Sequence, residues 1–159
     1  KLARTGNARA FDQLLLVLEH TGRHPELASC KFHTHYSSSP ADIVMKNLIE
    51  SCHDVSLGGI LTAISKMSIK GNKGVKLFPI DGLVNKFEYF FGEDQGRYVI
   101  EIKKEHKKEI VNLLNENSIH YDELGILIAN DLIIDNLTKI RVDELSNIYK
   151  EWLIKYMDS

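Results

Sequence analysis

The sequence predicts an α/β (α+β) fold in which helices cover a mixed sheet. Three observations carry that expectation. Short apolar or alternating runs bounded by turn residues recur through the second half of the chain, amphipathic stretches at helical spacing stand between them, and 159 residues suffice for one substantial core.

Phe11, Leu14, Leu15 and Leu18 fall at helical spacing ahead of Gly22, which predicts an amphipathic helix over residues 8 to 20. Residues 22 to 40, with Gly22, Pro25, Ser37, Ser38, Ser39 and Pro40, have no period and read as a loop. A boundary is expected there: residues 1–39 as an N-terminal helix and linker, residues 40–159 as the main domain. Ser39-Pro40-Ala41-Asp42 supplies a capping hydroxyl, a proline at the first helical position and an acid at the positive end, so a helix is expected over residues 40 to 49.

Ile60, Leu61, Ile64 and Met67 mark the apolar face of a helix over residues 57 to 69, which Gly71-Asn72-Lys73-Gly74 ends. Residues 75 to 80 and 97 to 102 have the look of strands, and residues 103 to 117 read as a charged helix with Ile110, Val111 and Leu114 inward. Further strands are expected over residues 125 to 129, 131 to 134 and 139 to 142, with Asn130-Asp131 and Asp135-Asn136 as turns. The last helix, capped by Asp143, repeats Leu145, Ile148, Tyr149, Trp152, Leu153 and Tyr156 at three- and four-residue steps. That stripe is expected to pack on the core.

A formal net charge of -2 leaves no basic excess to hold a phosphate backbone or an anionic membrane, so neither nucleic acid nor a membrane is an expected partner. No apolar run is long enough to span a bilayer, and Lys1-Leu2-Ala3-Arg4 leads into polar sequence, which points to the cytoplasm. Cys30 and Cys52 could form at most one bridge and fit a reducing compartment as thiols. Cys30, His33, His35 and Cys52 are metal-compatible side chains, but no second close pair completes a familiar pattern, so no metal site is expected. Lys103 to Lys108 alternate with Glu105 and Glu109 as a solvated helix face.

Two clusters could carry chemistry. In Cys52-His53-Asp54-Val55-Ser56-Leu57-Gly58-Gly59, polar residues meet two glycines just before an apolar helix. Glycines admit close backbone approach, and the first helical turn attracts phosphate or carboxylate oxygen. Asp54 and Ser56 could cap the helix, and His53 could donate to a phosphate or amide oxygen. The same residues also fit a plain helix start in which His53 is a structural hydrogen-bonding group. In Phe90-Phe91-Gly92-Glu93-Asp94-Gln95-Gly96-Arg97, a tight turn opens a strand; Arg97 could hold an anion bidentately and Glu93 could orient a substrate group or a water. A solvated turn with a local ion pair fits equally.

Together, HDVSLGG and FFGEDQGRYVIEI resemble the synthetase subunit of the phosphoribosylformylglycinamidine synthase family. That family belongs to a superfamily with aminoimidazole ribonucleotide synthetase and selenophosphate synthetase. The resemblance covers about residues 40 to 157, continuing through Leu124 to Ile128 and Val142 to Leu145. It implies a fold like the C-terminal domain of aminoimidazole ribonucleotide synthetase, with residues 40–159 as a C-terminal synthase-type domain. It also implies a cytoplasmic ligase of de novo purine biosynthesis that converts formylglycinamide ribonucleotide to the amidine. His53, Asp54, Ser56, Gly58, Gly59, Glu93 and Arg97 would then line or support the substrate and phosphate side of a cleft, positioning rather than acting as the catalytic base.

By the same resemblance the complete enzyme uses ATP and Mg2+, bound mainly outside this chain. Residues 1 to 39 match neither the family's ATP-binding domain nor its glycine-rich Arg-Asp-Gly segment. The implied partners are therefore an N-terminal ATP-binding half or another copy of the chain, a glutaminase subunit as ammonia source, and a ribonucleotide substrate. The alternative is a non-catalytic ligand-binding or subunit-interaction domain derived from the same superfamily.

Overall fold

Leu14 to Leu18 is an unbroken apolar run, and all five side chains are buried. In the computed structural model, which describes residues 13–19, 48–79, 85–94, 96–117, 119–134 and 137–158, this run is a strand, β1 (Gln13–Glu19). The helix expected over residues 8 to 20 is thus corrected wherever the chain is described. The physical reason lies in the sheet. Leu15 and Val17 face one core cluster while Leu14, Leu16 and Leu18 face another, so both faces are covered and no polar residue marks the two-residue period.

The other strands are β2 (Ile49–Asp54), β3 (Gly74–Leu77), β4 (Arg97–Lys103), β5 (His120–Ile128), β6 (Asp131–Ile134) and β7 (Thr138–Arg141). They form one seven-stranded sheet in the order β2-β4-β1-β5-β3-β6-β7. β1 sits between β4 and β5, antiparallel to both, in the same sheet as the strands after residue 48. The β3–β6 pair is parallel and the rest are antiparallel, which makes the sheet mixed, as expected.

The helices are α1 (Gly59–Gly71), α2 (Lys86–Phe91), α3 (Lys107–Glu116, preceded by a 3-10 turn at Lys104–His106) and α4 (Val142–Met157). Ile60, Ala63 and Ile64 of α1 and Tyr89 and Phe90 of α2 pack with Leu15, Val17 and Val99 on one sheet face. Ile110 and Leu114 of α3 pack with Leu16, Ile100 and Ile102 on the other. Asn72, at φ 49, ends α1 where the glycine-asparagine stop was expected, its N–H donating to the Ser68 carbonyl.

Three other expectations are corrected. Of the helix expected over residues 40 to 49, residues 40–47 lie outside the described residues, and Ile49 opens β2 rather than closing a helix. Neither Asp54 nor Ser56 caps α1; Gly58 occupies the cap position at φ 82 with no side-chain cap bond. The α4 stripe is largely exposed: Leu145 packs on the core, whereas Ile148, Tyr149 and Trp152 are each more than half exposed. Periodicity identifies an apolar face but not what covers it. The side chain of Leu153, the turn at residues 135–136, and Cys30, His33 and His35 lie outside the described residues.

The start of α4 carries an ion pair. Arg141 donates from Nε and Nη2 to the two Asp143 oxygens at 2.9 and 2.6 Å, and Asp143 Oδ1 accepts from the Glu144 N–H at 2.8 Å. The side-chain bond from Arg141, followed by the Glu144 backbone bond, holds the Asp143 carboxyl down to about 2. A depressed carboxyl favours the folded state above the ordinary carboxylate range, and that contribution is lost as pH falls through the range from 3.8 toward 2. In an NMR titration, Arg141→Ala is expected to return the Asp143 midpoint toward its ordinary value.

Candidate functional site

The site grows from the end of an edge strand. β2 runs antiparallel to β4, so that His53 lies opposite Val99 and Asp54 opposite Tyr98, and the ladder closes with the Val55 N–H donating to the Arg97 carbonyl at 2.8 Å. Val55 is buried in the core beneath α1, which anchors the turn on its inner side. Ser56 and Leu57 then stand exposed, and Gly58 and Gly59 reverse the chain into α1 with φ of 82 and 71.

These glycines answer to two different constraints. At Gly58 a Cβ would lie 2.3 Å from Thr62 Oγ1, while at Gly59 it would lie 2.5 Å from the Phe90 carbonyl oxygen and 2.7 Å from Phe91 Cα. Backbone of α2 therefore crosses directly over Gly59, in space that only a missing side chain leaves open.

This contact brings the two sequence clusters together. The Gly58 N–H donates to Glu93 Oε1 at 2.8 Å, and the Gly58 carbonyl accepts from Thr62 Oγ1 at 2.9 Å. Gly58 is thus pinned through both of its backbone polar groups, by an acid from the second cluster and by a hydroxyl one helical turn ahead. The Gly59 N–H donates to the Ser56 carbonyl at 2.9 Å. Both glycine amides, expected to face a ligand phosphate, are thus engaged within the protein.

Arg97 is 3% exposed. Its guanidinium lies 5.2 Å from the Tyr89 ring centroid, and Nη1 is 3.5 Å from Asp94 Oδ2. It braces the turn between α2 and β4 from beneath, instead of projecting toward solvent to hold an anion. Tyr89 extends that brace through its hydroxyl, 3.4 Å from Asp122 Oδ2 on β5.

His53 is partly buried, with Nδ1 2.6 Å from the Asp54 carbonyl oxygen. A carbonyl only accepts, so Nδ1 carries the proton and the neutral ring presents Nε2 as an acceptor. Donation from Nε2 to a phosphate then requires a second proton on the ring. Asp54 is two-thirds exposed, its Oδ1 3.6 Å from the same Nδ1. Cys52 is an exposed free cysteine; partial burial of the thiol, and then the Asp54 carboxylate, push its pKa up, which leaves it protonated and a poor nucleophile. Among the described residues no group of three or more His, Cys, Asp or Glu side chains could hold a metal ion.

Sequence reasoning missed α2 and Thr62. A signal for α2 was present: Asn85 followed three residues later by Glu88 is a capping pattern, and Asn85 Oδ1 accepts from the N–H groups of Phe87 and Glu88. Thr62 carries no such signal, because its role depends on the left-handed turn placed four residues before it.

Comparison with known proteins bears on the family and the fold. The chain is 51% identical over 117 residues to the phosphoribosylformylglycinamidine synthase subunit PurL of Pelagibacter ubique (strain HTCC1062), a match that takes in 74% of the chain but only 16% of that relative. Thermotoga maritima PurL solved with FGAR superposes with a TM-score of 0.63 at 19% identity, over 86% of this chain and 28% of that one. The same protein solved with ATP gives a TM-score of 0.62 at 17% identity, over 86% of this chain and 26% of that one. At such identities the structural likeness speaks for the fold. Residues 23–134 match the family model described as AIR synthase related protein, C-terminal domain, and the chain belongs to that family.

Proposed function

We propose that the chain is the C-terminal-domain portion of a phosphoribosylformylglycinamidine synthase, an ATP-dependent ligase that converts formylglycinamide ribonucleotide to formylglycinamidine ribonucleotide. The observation that carries this reading is the bond from Gly58 N–H to Glu93, which joins the two segments that carry the family resemblance into one surface feature. Identity to a named synthase subunit supports it.

An amide oxygen leaves poorly, and phosphoryl transfer from ATP is the chemistry that would make it displaceable by ammonia. The residues here would position. His53, Asp54 and Ser56 line the substrate side of the turn, Gly58 and Gly59 shape it, and Glu93 and Arg97 hold it in place. By the family resemblance, Mg2+ and most nucleotide phosphate contacts are assigned outside this chain. The proposed partners are an ATP-binding half or another copy of the chain, and a glutaminase subunit that supplies ammonia, in the cytoplasm. The domain proposed here takes in β1 as well as the segment after residue 40.

The engaged glycine amides favour a second reading, a binding or subunit-interaction domain without turnover. Complementation distinguishes the two. Mixed with a separately supplied ATP-binding half, the chain is expected to restore turnover, and His53→Ala is expected to lower kcat/KM roughly 10- to 100-fold, the value of one hydrogen bond to a charged group. No turnover with any partner half, from a chain that is folded, would leave the second reading.

A further inference from the structure

α4 is seated on the domain by its first turn. Val142 is buried and Leu145 packs on the core, whereas every described side chain from Asn147 to Asp158 is exposed. The exposed length nevertheless repeats an apolar stripe: Ile148, Trp152 and Tyr156 stand four residues apart with Tyr149 beside them, and each is more than half exposed. Three aromatic side chains of about 150–250 Å2 each, over half uncovered, leave a patch of a few hundred Å2, the size that marks an interaction surface. A helical segment of this length is also marginal in water by itself, so a cover over the stripe supplies support that its own domain does not.

The charges on α4 select among covers. Its first turn carries Asp143 and Glu144, its last turn carries Lys155, and Lys150 and Glu151 lie between. Three acids against two lysines make no basic face for an anionic membrane. The order of sign along the helix suits another copy of itself. Laid antiparallel, two such helices oppose their dipoles and set each acidic start beside a basic end. The stripe allows that register. With Ile148 opposite the partner's Trp152, Glu144 falls within one residue of the level of the partner's Lys155. By helical spacing Glu144 and Lys155 border the stripe on its Ile148 side, and like flanks of antiparallel helices meet. Within one chain Lys155 Nζ lies 2.9 Å from Glu151 Oε2, so the partner's Glu144 would join an ion pair already on that flank.

We propose that the exposed stripe of α4 is a self-association surface, on which a second copy of the chain docks its own α4 antiparallel to form a two-fold dimer. Such an interface is isologous, so one set of residues supplies both sides. Two patches of this size fall at the small end of specific interfaces, and the dimer is accordingly weak and reversible. The proposal does not rest on the catalytic reading.

Trp152 is the chain's one tryptophan, so its fluorescence reports on the surface directly. From low micromolar to millimolar concentration, sedimentation equilibrium is expected to show the mass rising toward that of two chains while Trp152 emission shifts to the blue. Ile148→Glu is expected to raise the dissociation constant about 10-fold or more, the effect of a residue central to an interface. Glu144→Lys and Lys155→Glu should each weaken association alone, and an equal mixture of the two variants should recover it, because each chain then offers the charge the other needs. A chain that stays monomeric at millimolar concentration overturns the proposal, as does a dimer that Ile148→Glu leaves intact. Charge variants that pair alone as well as they do mixed overturn the antiparallel arrangement. A blue shift brought by anionic vesicles but not by concentration overturns it in favour of a membrane surface.

Discussion

Gly59→Ala is expected to destabilise the protein by about 3–5 kcal/mol, combining left-handed strain at a residue with a Cβ and overpacking against backbone. The position is at φ 71, and the new methyl would lie 2.5 Å from the Phe90 carbonyl oxygen. Neither obstacle is a flexible side-chain end. Relief requires α2 to move off α1, and that movement withdraws Glu93 from Gly58, so fold and site should be lost together. A domain of this size is stable by about 5–15 kcal/mol, which makes the loss a large fraction of the whole. Urea unfolding measures it directly. Gly71→Ala is the matched control, since a Cβ there meets nothing within 4 Å. Equal midpoints for the two variants would mean that α2 does not cross the turn as described.

Leu16→Ala is expected to cost about 2–5 kcal/mol, the range for a fully buried leucine whose removal leaves a cavity. Leu16 is 0% exposed at the middle of β1 and packs with Ile100, Ile110 and Leu114. Its strand is bonded on both edges, so neither neighbour can close the gap without disturbing a ladder. The same unfolding measurement applies. A loss below about 1 kcal/mol, the level of an ordinary surface change, would place this segment outside the core.

Elements whose pattern could be produced in only one way were legible in the sequence. β6 (Asp131–Ile134) has the expected limits, and β4 begins at Arg97 as expected, because turn residues precede each strand. α1 shows a plain apolar face and an asparagine stop. β1 was illegible for the opposite reason: with both faces buried, a run of apolar residues matches helical spacing as well as any other. β2 hid behind polarity, since Glu50, Ser51, Cys52, His53 and Asp54 give an edge strand no apolar alternation. At the site, the residue types were readable but their partners were not. Nothing in the spacing of Gly58 and Glu93 announces a hydrogen bond, because α2 and the paired strands β2 and β4 bring them together.

The central place of β1 also has a consequence in time. Leu16 pairs with Ile100 on one side and Glu123 on the other, so neither partner exists when β1 leaves the ribosome. At roughly 5–20 residues per second, the strand waits on the order of 4 to 16 s for β4 alone. Throughout that interval an apolar segment that the finished fold covers on both faces remains without its partners, at the stage of synthesis when a chaperone has most to protect.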